Sequence, residues 1–190
     1  MLILAASSPY RRMLLERLRL PFVVAAPEVD ETPLPAESPR DTALRLAEQK
    51  ARAVGAEVGE AVIIGSDQVA VLDGIVIGKP GTHEAALSQL RAMRGRSVVF
   101  HTALCVFETG SRRCQIDEVP TTVLCRDFSD VEAARYLELD RPYDCAGSAK
   151  IEALGIALVQ EVVSRDPTAL IGLPLIALVT MLRGAGVAVL

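Results

Sequence analysis

The chain has 190 residues, 51% of them hydrophobic, and carries 20 Lys and Arg against 24 Asp and Glu, a formal net charge of −4. That much apolar material can bury a full core, and one domain over residues 1–190 is expected. The mild acidity excludes a nucleic-acid binder that relies on a broad basic surface, so an anionic ligand must be held by a local cluster of Lys and Arg.

Leu2-Ile3-Leu4-Ala5 reads as a buried strand, and Ala6-Ser7-Ser8-Pro9 leads from it into an amphipathic helix. Ser8 is a good N-cap and Pro9 a good first helical residue. A strand, a hydroxyl-rich turn and a helix start aim several N–H groups and the positive end of a helix dipole at one spot. Arg11 and Arg12 add cation there, so Ser7, Ser8, Arg11 and Arg12 form a candidate phosphate site without a Walker sequence. The apolar stretch before Ser7 is short and its arginines follow it, which is not the pattern of a signal peptide.

Phe22 to Ala25 suggests a second strand, and the prolines at 27, 33 and 35 predict a stiff, irregular loop holding Asp30, Glu31 and Thr32. Ser38-Pro39-Arg40-Asp41 then opens a helix that should reach Gly55. Leu44, Ala47, Ala51 and Val54 form its expected buried face, with Lys50 on the flank, where a helix lysine is ordinarily solvated. Ala61 to Ile64 reads as a strand ending on a small-residue turn, Gly65-Ser66, that presents Asp67, a candidate general base or metal ligand. Val69 to Leu72 and Ile75 to Ile77 flank Asp73-Gly74, a two-residue hairpin turn, so Lys79 of Gly78-Lys79-Pro80 is expected to return toward Asp67. An isolated pair of that kind is otherwise an ordinary surface ion pair.

Thr82 should cap a helix running through Met93 and stopping at Gly95. Val98 to Phe107 and Val119 to Cys125 read as strands, and Ser129 with Glu132 makes a capping box for a helix to about Leu139. In Asp144 to Glu152 the small residues permit close backbone approach, and Lys150 and Glu152 should point the same way on an extended chain before a strand at Gly155 to Val159. Asp166-Pro167 is expected to cap the last helix, whose apolar run is broken by Gly172 and Pro174 and falls short of the roughly 20 residues a bilayer needs. Interleaved strands and helices predict an α/β fold with a mixed sheet. Cys105, Cys114, Cys125 and Cys145 show no C-x-x-C spacing and are expected to be reduced, and His83 and His101 lack zinc-ligand spacing.

Together, Ser7-Ser8-Pro9 with Arg11-Arg12, Val29-Asp30-Glu31-Thr32, Lys50, Gly65-Ser66-Asp67-Gln68, Gly78-Lys79-Pro80, Ala146-Gly147-Ser148 with Lys150, and Gly172-Leu173-Pro174 resemble the Maf family of nucleotide pyrophosphatases. Each motif alone is weak, but in order along the chain they are specific, and they displace the solvated-lysine reading of Lys50, Lys79 and Lys150. The resemblance implies a Maf and ITPase-like α/β fold, a single domain with a mixed twisted sheet and two lobes flanking a deep cleft. It also implies a cytoplasmic homodimer that hydrolyses a nucleoside triphosphate between its α- and β-phosphates, with a small-molecule nucleotide as partner and neither nucleic acid nor membrane.

Family resemblance places the proton acceptor at Asp67. Ser7, Ser8, Arg11, Arg12, Lys50 and Lys79 are the expected phosphate ligands, with Ser148 and Lys150 as further pocket residues. Glu31 and Asp67 are the expected ligands of a divalent cation, Mg²⁺ first, with Mn²⁺ or Co²⁺ as alternatives. Tyr10, Gln68 and Glu152 match the branch resembling 7-methyl-GTP pyrophosphatases, although that branch more commonly has Trp where this chain has Tyr10. N7-methylation makes guanine cationic, so an aromatic face would attract it and a carboxylate would accept from its N–H edge. The alternatives are a dTTP/UTP pyrophosphatase of the same family and a non-catalytic nucleotide-binding regulator of cell division.

Overall fold

The computed structural model describes residues 1–190. Strand β1 (Leu2–Ala5) is buried along its whole length because it pairs in parallel on both sides, with β2 (Val23–Ala25) and with β3 (Val62–Leu72). A strand enclosed in this way needs the continuous apolar run it has. Helix α1 (Pro9–Glu16) begins as expected, with the Ser8 hydroxyl accepting from the Arg11 N–H.

Helix α2 (Pro39–Ala56) is capped by Ser38, whose side chain accepts from the Asp41 N–H. Its buried stripe comprises Ala43, Leu46, Ala47, Lys50, Ala51 and Val54. Lys50 therefore lies within the apolar stripe rather than on its flank, and Leu44 sits at the half-buried edge. The expected turn at Gly65-Ser66 is absent, because β3 runs unbroken for 11 residues. Glycine is needed there for a different reason: a Cβ on Gly65 would stand 2.2 Å from the Ala47 carbonyl oxygen and 2.9 Å from the Ala51 nitrogen. The missing side chain lets α2 lie directly on β3.

Asp73 and Gly74, both at positive φ, turn β3 into β4 (Ile75–Ile77), with Ala70 opposite Ile77 and Leu72 opposite Ile75. Then come α3 (His83–Met93), β5 (Ser97–Glu108), β6 (Cys114–Cys125), α4 (Asp130–Asp140), β7 (Val159–Ser164) and α5 (Leu175–Gly184). Strand β6 starts earlier than Val119, and α4 carries the predicted capping box. The segment expected as a strand from Gly155 is instead a short 3-10 helix, Leu154–Leu158, and turns at 151–153 remove the extended geometry expected of Lys150 and Glu152. The last helix begins at Leu175 with Pro174 in the N-cap position, not directly after Asp166-Pro167 as expected. Asp166 only serves its first turn from a distance, its Oδ2 accepting from the Ile176 N–H at 2.7 Å, while the Thr168 hydroxyl accepts from the Leu175 N–H at 2.8 Å.

The strands form a seven-stranded mixed sheet in the order β2-β1-β3-β5-β6-β7, with β4 added on β3, so the α/β class holds. The chain divides into two compact units: Met1–Gln68, His101–Val119 and Asp166–Leu190 make the first, and Val69–Phe100 with Pro120–Arg165 the second. In the first, Leu4, Leu14, Leu15, Ile64, Leu104 and Leu178 form the centre of an apolar core. In the second, α3 packs against α4. No helix is long and apolar enough to cross a membrane. All four cysteines are free thiols, and Cys105 and Cys114 face each other with sulfurs 3.2 Å apart.

Candidate active site

In the first unit, Asp67 projects from the middle of β3 and is almost fully buried. The Lys50 ammonium, equally buried on α2, donates to Asp67 Oδ1 at 2.6 Å and lies 2.6 Å from Glu31 Oε1. Two carboxylates thus converge on one cation, and Glu31 remains 62% exposed while Asp67 does not. Burial of the Lys50–Asp67 pair is tolerable because each charge offsets the other's desolvation. Convergent carboxylate oxygens are also the donor set a hard divalent cation takes, completed by water and phosphate oxygens.

The loop that carries Glu31 is tied down by residues that no motif signalled. Arg45 on α2 grips Glu37 through two nitrogens, at 2.6 and 2.8 Å, and donates to the Thr32 carbonyl at 3.2 Å. Glu37 also accepts from the Leu34 N–H and the Thr42 hydroxyl. Arg45, with Leu34 N–H and Thr42 adding to it, holds the Glu37 carboxyl down at about 2. Arg45 stands five residues before Lys50 on α2, in no pattern that signals this clamp.

Arg11 donates through Nε to the Gly172 carbonyl at 3.0 Å, and the Ser66 hydroxyl donates to the same carbonyl at 3.0 Å. Burial pulls the Arg11 pKa below the ordinary guanidinium value, while the charges of Asp67 and Glu31 push it back up. It stays a cation, with the two terminal nitrogens of its fork outside that bond. Gly172, at φ 121, adopts a backbone that side-chain-bearing residues rarely reach. Arg12 instead reaches along α1 to Glu16 at 3.0 Å, on the exposed side, and Ser7 is exposed. Ser8 spends its hydroxyl as the helix cap. Tyr10 is half-buried.

Gln68 has a structural task. Its amide nitrogen lies 2.9 Å from the Thr102 hydroxyl and 3.1 Å from the carbonyls of both Ala169 and Leu170. It therefore holds the segment that ends at Gly172, the acceptor of Arg11.

In the second unit, Lys79 is exposed just beyond the end of β4. Lys150 lies 3.3 Å from Asp144, and its backbone N–H donates to the Tyr136 hydroxyl at 2.9 Å. Ser148 is fully buried, and Glu152 is exposed on the turn that follows.

Residues 1–185 match the family model described as Maf-like protein. The chain belongs to the Maf-like family. A 7-methyl-GTP pyrophosphatase of Burkholderia thailandensis is 62% identical over 188 residues, covering 97% of this chain and 87% of that protein. One of Ralstonia nicotianae is 61% identical over 182 residues, covering 96% and 94%. Among solved structures, a nucleoside-triphosphatase (dITP/XTP pyrophosphatase) of Mycobacterium abscessus aligns with a TM-score of 0.42 at 17% identity, over 67% of this chain and 74% of that one. Within the Maf-like chain, Arg11, Glu31, Lys50 and Asp67 gather in one unit, and Lys79, Ser148, Lys150 and Glu152 belong to the other.

Proposed function

We propose that this Maf-like chain is a nucleoside triphosphate pyrophosphatase that hydrolyses 7-methyl-GTP to 7-methyl-GMP and diphosphate. The observation that carries the reading is the 62% identity, across nearly the whole chain, to a protein bearing that name. The Asp67–Lys50–Glu31 arrangement supports it chemically. Lys50 occupies Asp67 Oδ1, leaving Oδ2 to accept the proton of an attacking water. The water oxygen bonds to the α-phosphorus, the bond from that phosphorus to the bridging oxygen breaks, and diphosphate leaves with the electron pair. Arg11, through its free guanidinium nitrogens, and Lys79 offset the charge of the phosphates.

A divalent cation belongs to the same reading, with Glu31 and Asp67 as its protein ligands and Mg²⁺ as the first choice. When bound it supplies charge neutralisation on the phosphates. Tyr10 and Glu152 are assigned to the methylated base, by the attraction of an aromatic face and a carboxylate for a cationic ring. A cytoplasmic homodimer completes the assignment.

The test is product analysis with Mg²⁺ and a panel of 7-methyl-GTP, GTP, dTTP, UTP and CTP, beside Asp67→Ala. The expected result is preferential release of 7-methyl-GMP and diphosphate, reduced by about 10³-fold in the variant, within the range general-base removal produces. Preference for dTTP or UTP would retain the reaction and reject the roles of Tyr10 and Glu152. Binding without turnover would reject the enzyme in favour of a regulator.

A further inference from the structure

The two lysine-bearing segments of the second unit are irregular backbone. The pairing of β4 ends at Ile77, before Gly78-Lys79-Pro80, and the stretch from Arg141 to Ala153 consists of turns and one short 3-10 helix. Loops of this kind hold a fixed shape only where side chains replace the missing ladder bonds. One residue on α3 does so for both segments at once. The Gln89 amide nitrogen donates to the Gly78 carbonyl at 3.0 Å, and its amide oxygen accepts from the Ser148 hydroxyl at 2.5 Å. Lys79 follows Gly78 directly, and Lys150 lies two residues beyond Ser148.

The chemistry of the bridge singles out glutamine. Gly78 offers an acceptor and Ser148 a donor, so the bridging side chain must donate at one atom and accept at another. A glutamate has no proton to donate when ionised, and a lysine cannot accept. Ser148 is fully buried at φ 52, next to Gly147 at φ 73, and a Cβ on Gly147 would stand 3.3 Å from the Phe100 ring. The Ser148 end is therefore firmly anchored. The other end is steadied by Tyr143, whose carbonyl accepts from the Gly81 N–H at 3.0 Å and whose hydroxyl lies 3.0 Å from His83 Nδ1.

We propose that Gln89 is a positioning residue for substrate binding: it holds the Lys79 loop in register with the Ser148–Lys150 turn, so that Lys79 meets the phosphates without an ordering cost at each binding event. The inference rests on the proposed function, in which Lys79 contacts the triphosphate. A loop ordered beforehand lowers KM, while the proton transfer at Asp67 is untouched.

The experiment measures kcat and KM for 7-methyl-GTP in wild type, Gln89→Met, Lys79→Ala and the double variant, with melting temperature as a check of folding. Gln89→Met keeps length and loses both bonds. It is expected to raise KM about tenfold with kcat changed less than about threefold, the signature of lost binding rather than lost chemistry. In the Lys79→Ala background the same substitution should raise KM less than about twofold, because its effect passes through the lysine already removed. Should Gln89→Met fail to fold, Gln89→Glu carries the same comparison, since it retains acceptance from Ser148 and loses donation to Gly78. An equal KM effect in both backgrounds, or none in either, overturns the proposal while leaving the proposed function standing. A Lys79→Ala variant with unchanged KM overturns the phosphate role of Lys79 and the proposal together.

Discussion

Lys50 and Asp67 are each below 10% exposed, at 7% and 9% for their side chains, and their nearest charged atoms are 2.6 Å apart. Removing one partner leaves the other buried and uncompensated, which is costlier than never having had the pair. Lys50→Met is therefore expected to cost about 3 kcal/mol, lowering the melting temperature by about 6–12 °C for a chain of this size. Adding Asp67→Asn to Lys50→Met should recover at least about half of that loss, because the orphaned charge is gone. Calorimetry of the two variants decides it, and a double variant no more stable than the single one would reject the account. Asp67 was legible in the sequence as an acid set among small residues, but the burial of Lys50 was not. Periodicity places a residue on a helix face and says nothing of the opposite charge waiting there, supplied here from β3, 17 residues away.

Among the elements, β3 departs furthest from expectation. Gly65-Ser66-Asp67 resembles a turn because its side chains are small and polar, yet each has a use inside a strand. Gly65 admits α2, the Ser66 hydroxyl bonds the Ala103 and Gly172 carbonyls, and Asp67 bonds Lys50. Gly65→Ala would drive a methyl into backbone atoms of α2 that cannot swing aside as a side chain would. It is expected to cost at least about 2 kcal/mol, as overpacking against rigid neighbours does, and to shift the urea midpoint downward, whereas an unchanged midpoint would mean that α2 rides freely on the sheet. Helix starts were readable almost to the residue at Ser8, Ser38, Thr82 and Ser129, because capping is local chemistry between neighbours. Leu154 to Leu158 was not, since a short apolar run looks alike in a strand and in a tight helix, and tertiary packing chooses.

At the scale of the molecule, acid stability should reflect the clamp on the Glu31 loop. Glu37 titrates near 4.5 when free and about 2 in the folded chain, so its bonds to Arg45, Leu34 and Thr42 favour folding above pH 4.5. That contribution fades as the pH falls from about 4.5 toward 2, where the carboxyl becomes protonated in both states. Glu37→Gln should accordingly be less stable than wild type at neutral pH, with the gap in denaturant midpoint closing over that interval. A gap that persisted unchanged to pH 2 would show that Arg45 holds the loop by packing alone. Composition had already set the outline, an acidic α/β chain able to bind anions only through local clusters. The division of the chemical residues between two units of chain was out of reach, because it depends on how distant segments cluster. The segment 169–172 is gripped through its backbone. Its contacts with Arg11, Ser66, Gln68 and Thr102 all end on main-chain oxygens. Every amino acid supplies such an oxygen, so exchanging the side chains of Leu170 or Ile171 cannot delete an acceptor. The grip on Arg11 is thus written in the path of the backbone, which Gly172 at φ 121 permits, and not in the identity of the side chains that precede that glycine.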